Sequence, residues 1–189
     1  REFLLKPLSS KDRIYPFELI SQCFDYDSYF HFNKRQERTY YIGLDFALSG
    51  EAGADYTVYT VLESYQGILR VVNIERYKGL NYQAQKMRIV YLCGIFKPVK
   101  VLADEGSFGK SFISDILTQN IPVEGFHFTN QSKQDLHTNL RNLFEQKKIV
   151  INMSQSDLKT SITTKNLVDE LLNFGVIWDE KKGIVKFEG

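Results

Sequence analysis

The sequence predicts an α/β domain built on a mixed sheet. An antiparallel three-strand meander opens it, parallel strands complete it, helices flank it, and a β-hairpin ends it. Three observations lead there. Between Tyr40 and Arg76 lie three apolar, β-branched or aromatic runs separated by short polar turns, the pattern of hairpin-linked strands. From Asn81 onward, such runs alternate with stretches whose apolar residues recur every three or four positions, which implies crossover helices and parallel pairing. The chain closes with VIWD, EKKG and IVKFE, two apolar runs about a charged tip.

The 189 residues suit one domain with a short appendage. A chain of this length buries roughly 70% of its unfolded surface, enough for a full core without staples. Composition is ordinary for a globular protein, with 43% hydrophobic, 14% aromatic and 25% charged residues. No run approaches the ~18 consecutive apolar residues of a membrane span, and REFLLKPLSS has no leader pattern, so no membrane partner is expected. The net charge of +1 means that a polyanion would have to be met by a local patch. Cys23 and Cys93 show neither zinc spacing nor a disulfide framework and read as small buried hydrophobes in a reducing compartment.

Residues 1–38 are expected to form an arm or linker with one short helix, Phe17 to about Cys23, started by Pro16. The domain proper is placed at residues 39–189. Its strands are expected at Tyr40–Asp45, Tyr56–Glu63 and Ile68–Arg76, with SYQG as the second turn. Asn81 caps a helix to about Phe96, with Ala84, Met87, Tyr91 and Ile95 as its stripe. Pro98 stops it, and VKVLADEG supplies the fourth strand. A helix from about Phe108 to Gln119 and a strand around Glu124–Phe128 follow. Next come a helix from Lys133 to Gln146, the strand KIVIN, and a helix from Asp157 to Phe174.

Two strands end in a carboxylate, the first at Asp45 and the fourth at Asp104. If these strands are parallel neighbours, both carboxylates stand at one edge of the sheet, where ligand sites of open α/β sheets form. Like charges so close repel unless a cation lies between them, and hard oxygen ligands suit Mg²⁺ or Mn²⁺. Two such ions ~3.5–4 Å apart are a common device for in-line phosphodiester hydrolysis. Strand-end aspartates also serve as loop caps, and the pattern alone leaves that alternative open. Asp55 is a further candidate for the cluster, with a turn role as its alternative. GSFGKS, Gly106 to Ser111, ends like a phosphate-binding loop but has aspartate, Asp104, where that loop needs glycine. It reads instead as a sharp turn into a helix, with Lys110 available to a phosphate. Lys181 and Lys182, at the tip of the last hairpin, are candidates to reach a DNA groove. His31, His127 and His137 have no ligand spacing.

These residues resemble a known family. YYIGLDFALSGEAGADYTVYTVLE, VKVLADEGSFGKSFISDIL, LHTNLRNLFEQKKIVIN and the late helix with its hairpin are similar to the nuclease domain of tailed-phage terminase large subunits. The opening REFLLKPLSS and YPFELISQCFD resembles the segment that joins the terminase ATPase domain to that nuclease. The resemblance implies a ribonuclease H-like fold and a metal-dependent endonuclease, using two Mg²⁺ or Mn²⁺ ions, that cuts concatemeric double-stranded DNA during genome packaging. It places the first two metal-binding aspartates at Asp45 and Asp104, with Asp55 at a further acidic position. It implies as partners an ATPase domain of the same polypeptide, a portal and a small terminase subunit, all in the host cell cytoplasm. The family's third acidic cluster is expected after the last hairpin, beyond Gly189, since Asp169 and Glu170 precede that hairpin. A non-catalytic module docking on DNA or the portal, and a resolvase or transposase of the same fold, are the alternatives. An actin-like sugar kinase would need about twice the length.

Overall fold

The computed structural model describes residues 13–47, 56–106, 109–179 and 184–188, the hairpin from residue 176 on by its backbone. Seven strands form one sheet: β1 (Phe24–Asp25), β2 (Thr39–Asp45), β3 (Tyr56–Tyr65), β4 (Ile68–Lys78), β5 (Lys100–Asp104), β6 (Val123–Phe126) and β7 (Ile149–Asn152). Their order is β1-β7-β4-β3-β2-β5-β6. The meander β2-β3-β4 is antiparallel, while β5, β6, β7 and β1 add in parallel. This is the mixed sheet expected from the sequence. β8 (Gly175–Asp179) and β9 (Ile184–Glu188) make the separate antiparallel hairpin.

The β3–β4 turn is made by Gln66 and Gly67, both at positive φ (49° and 77°). A two-residue turn of this hand matches the twist of its strands, which explains how the meander stays tight. Strand alternation then sorts the side chains. Tyr40, Ile42, Leu44, Tyr59, Val61, Val101 and Ala103 face one core, covered by α2 (Tyr82–Phe96) and α3 (Gly109–Leu117). Val58, Leu62, Ile74, Ile149 and Ile151 face the other, covered by α4 (Asn130–Glu145) and α5 (Leu158–Asn173). Each large side chain buried this way contributes roughly 1.5–3 kcal/mol.

Helix starts follow their caps. Asn81 accepts from the Ala84 amide (2.8 Å), Thr129 and Ser132 form a capping box, and Asp157 accepts from the Thr160 amide (2.7 Å). The α2 stripe differs from expectation. Gln85, Ile89, Leu92 and Phe96 are buried, whereas Met87 and Tyr91 are 68% and 53% exposed. Apolar residues surround this helix, and the buried face contains a glutamine, so spacing alone selected the wrong rows.

The N-terminal segment also differs. The expected helix is α1 (Phe17–Ile20) followed by a 3₁₀ turn, Ser21–Cys23. Phe24 and Asp25 then pair with Ile151 and Asn152 as an edge strand. Tyr15, Ile20, Cys23 and Phe30 are buried in the second core, so residues 13–38 pack on the domain as well as leading into it. The signal was too short to see, because a two-residue strand carries no period. Both cysteines are free, Cys23 buried and Cys93 half-buried. Burial raises the Cys23 thiol and pushes the Cys93 thiol up to about 12, which leaves both unreactive at neutral pH. Among the described residues no helix is long and apolar enough to cross a membrane.

Candidate metal centre

Register puts the two strand-end aspartates side by side. β2 and β5 are parallel, with Gly43 beside Leu102 and Leu44 beside Ala103, so the next pair along is Asp45 and Asp104. Leu44 and Ala103 point into the first core, hence Asp45 and Asp104 share the opposite face. Both open into one cavity of about 580 Å³, floored by Gly43, Val58, Thr60 and Leu102 and roofed by α4. This juxtaposition is the sheet-edge pairing of carboxylates that parallel neighbouring strands were expected to give.

Each aspartate is held by its own support. The Gly106 amide donates to Asp104 Oδ1 (2.9 Å), fixing the carboxylate's rotation while leaving it capacity to accept more bonds. The loop after Asp45 is pinned by the Ala47 amide, which donates to Thr57 Oγ1 (3.1 Å). Gln85 of α2 donates from Nε2 to the carbonyls of Ala47 (2.9 Å) and Leu80 (2.8 Å). The buried polar face of α2 is therefore a clamp on the Asp45 loop. Phe46 packs on Phe112 of α3 with ring centroids 4.7 Å apart, tying the same loop to the helix that follows Asp104.

Gly109 is needed for close approach. A Cβ there would lie 2.1 Å from the Asp104 carbonyl oxygen and 3.0 Å from its carbonyl carbon. Since the obstacle is backbone, Gly109→Ala must displace either α3 or the end of β5. The expected outcome is a loss of about 1–3 kcal/mol of stability, together with a misplaced Asp104. Thermal melting and a DNA-cutting assay on the variant check both.

Other anticipated residues fall differently. Lys110 lies in the first turn of α3 with its side chain 76% exposed, and its Nζ lies 4.0 Å from Glu105 Oε1, outside the cavity lining. Asp55, Lys181 and Lys182 lie outside the described residues. Asp169 and Glu170 sit on α5; Glu170 Oε1 pairs with Arg76 Nη2 at 3.0 Å. Among the described residues no group of three or more acidic, histidine or cysteine side chains is placed to hold an ion.

The cavity roof was not anticipated. Lys133 and His137 of α4 line it beside the aspartates. They are four residues apart and share one helix face, the only sequence signal that links them. Tyr15, fully buried, shares a 2.7 Å hydrogen bond between its hydroxyl and His137 Nδ1, and Phe174 stacks on the imidazole with centroids 4.1 Å apart. Burial, and then the charge of Lys133, hold the imidazole below its ordinary pKa.

Known proteins share this arrangement of elements. The large terminase nuclease of thermophilic phage G20c with bound magnesium is 21% identical, with a TM-score of 0.74, covering 96% of this chain and 89% of that one. The same phage nuclease is also known with cobalt and with zinc. The large terminase nuclease domain of Thermus phage P74-26 is 21% identical at a TM-score of 0.68, covering 93% and 85%. The large terminase of another thermophilic bacteriophage is 19% identical at 0.62, covering 90% of this chain and 41% of that longer one. No curated protein matches. A family model described as the terminase RNaseH-like domain matches residues 42–168, most of the sequence. The chain thus belongs to the terminase RNaseH-like domain family.

Proposed function

We propose that this domain is a divalent-metal-dependent endonuclease that cuts concatemeric double-stranded DNA during viral genome packaging. The observation that carries it is the placement of Asp45 and Asp104 on neighbouring parallel strands, opening into one cavity. Family membership supports the nuclease, and the magnesium, cobalt and zinc complexes of the G20c nuclease support a divalent ion.

The donor set fits Mg²⁺ or Mn²⁺. Two hard carboxylates lie on strands about 4.8 Å apart, and a cation between them relieves their repulsion. Asp45 and Asp104 would hold two ions, with Asp55 a further candidate and the third acidic ligand expected beyond Gly189. When bound, such ions supply Lewis acidity and neutralise charge developing on a phosphodiester. The chain's own part is positional. Gly106 sets the rotation of Asp104, Thr57 and Gln85 hold the loop behind Asp45, and the apolar floor of Val58 and Leu102 limits water around both. Lys133 in the roof offers a cation to a bound phosphate, and Lys110, Lys181 and Lys182 are further candidates for DNA contact. In the whole protein the domain would work with an ATPase domain of the same polypeptide, a portal and a small subunit, in the host cell cytoplasm. Residues 1–38 would lead in from the ATPase domain.

The test is nicking of supercoiled plasmid in Mg²⁺ or Mn²⁺ against EDTA, using this chain and a version extended past Gly189. Metal-dependent nicking is expected from the extended protein at least. If that protein binds DNA yet leaves the plasmid intact in both metals, the docking module replaces the nuclease.

A further inference from the structure

One row of side chains crosses the sheet at the end where the aspartates stand. Asp104 pairs with Phe126, Asp45 pairs with Val58, and Val58 pairs with Arg76. The irregularity in β3–β4 lies between Val61 and Leu62, so it does not disturb this row. Directly paired residues share a face. Arg76 therefore stands on the same face as the aspartates, two strands beyond Asp45, or about 10 Å along the row. Lys78 follows on the same face of β4, paired with Tyr56.

The three side chains beyond Asp45 form a cationic shelf. Tyr56 is 40% exposed, the Arg76 guanidinium lies 3.7 Å from its ring centroid, and Lys78 Nζ lies 5.5 Å from the same ring. Stacking fixes the guanidinium plane and leaves its N–H groups pointing sideways. Nη2 is engaged by the 64% exposed Glu170, and buried Nε carries no hydrogen bond among the described residues. A planar guanidinium held rigid beside a second cation, its Nη2 paired with an exposed carboxylate that can swing away, suits a phosphate oxygen.

Resting on the nuclease reading, we infer that Arg76 and Lys78 hold the phosphate next to the scissile one, so that the cleaved strand runs along the row from Asp104 to Arg76. Glu170 occupies the fork in the absence of nucleic acid and is displaced when a phosphate enters. Arg76 is then a positioning residue. It sets which phosphate stands over the aspartates without touching the reacting atoms.

The test is equilibrium binding of a fluorescent duplex in EDTA, where nothing is cut, over a range of salt concentrations. Arg76→Ala and Lys78→Ala are each expected to lower the slope of log affinity against log salt by about one, the signature of one lost phosphate contact. Arg76→Lys should keep the slope, and Glu170→Gln should tighten binding at low salt by freeing the fork. Should Arg76→Ala fail to fold, Lys78→Ala and Glu170→Gln, both at exposed side chains, decide the matter. Unchanged slopes in the folded alanine variants, no tightening in Glu170→Gln, or no duplex binding by the parent chain overturn the strand path. Failure of the extended protein to nick plasmid overturns the nuclease reading instead, so the two can fail separately.

Discussion

Asp45→Asn and Asp104→Asn are each expected to lower metal-dependent nicking by at least about 100-fold. Loss of a group that only orients a metal ligand already costs 10–100-fold, and a ligand itself should cost more. Both changes keep side-chain shape. Asp104→Asn also keeps an oxygen able to accept from the Gly106 amide, so the β5–α3 turn is retained. What is lost is charge. Of the two carboxylates that neighbouring strands bring together, only one then keeps its charge. The discriminating readout is thermal. Mn²⁺ bound only by the folded state raises the melting temperature of the parent protein, by mass action, and each variant should lose that rise while melting normally in EDTA. Nicking at near-parental rates by either variant would remove that aspartate from the metal centre.

The juxtaposition of Asp45 and Asp104 was legible because strands announce their ends. An apolar run that terminates in aspartate, twice, in strands separated by a helix, already places two carboxylates at one sheet edge if the strands are parallel. Periodicity also recovered the meander, the helices α2, α4 and α5 within a few residues, and the closing hairpin. What it could not recover is tertiary in origin. Gln85 reads as a helix-surface residue, yet it is buried to clamp Ala47. His137 has no ligand spacing, and only the fold brings Tyr15, 122 positions away, and Phe174 to hold its ring beside the cavity. Gly109 reads from the sequence as part of a sharp turn into a helix, as found, but only the fold shows how closely it lets α3 approach the Asp104 carbonyl. Arg76 sits in an ordinary strand, and only the register from β2 through β3 to β4 aligns it with Asp45.

Arg88→Ala should be among the most damaging single changes in the fold. Glu75 of β4 points into the first core with its side chain 1% exposed, facing α2, and Arg88 pairs with it through Nε and Nη2. Asn73 Nδ2 (3.2 Å) and Tyr77 OH (3.0 Å) donate to the same carboxylate. Burial works against ionisation of Glu75, but the hydrogen bonds and charge of Arg88 outweigh it and hold its pKa below the ordinary carboxylate range. Removing the arginine leaves an uncompensated buried charge, which costs about 3–5 kcal/mol. At roughly 2–4 °C per kcal/mol for a domain of this size, melting should fall by roughly 6–20 °C. The pH dependence has a definite sign. In the parent, the depressed pKa gives stability that is present above the unfolded carboxylate's pKa and lost as pH falls through the folded one. In Arg88→Ala, burial is no longer outweighed by the arginine, so protonation relieves the buried charge and the gap between variant and parent narrows towards acid. Urea melts at pH 7 and pH 4 measure that gap. The double change Glu75→Leu with Arg88→Met removes both charges at once and should recover most of the loss. A gap under about 1 kcal/mol at pH 7 would mean that the pair behaves like a surface salt bridge, and that Glu75 is solvated from the α2 side despite its burial.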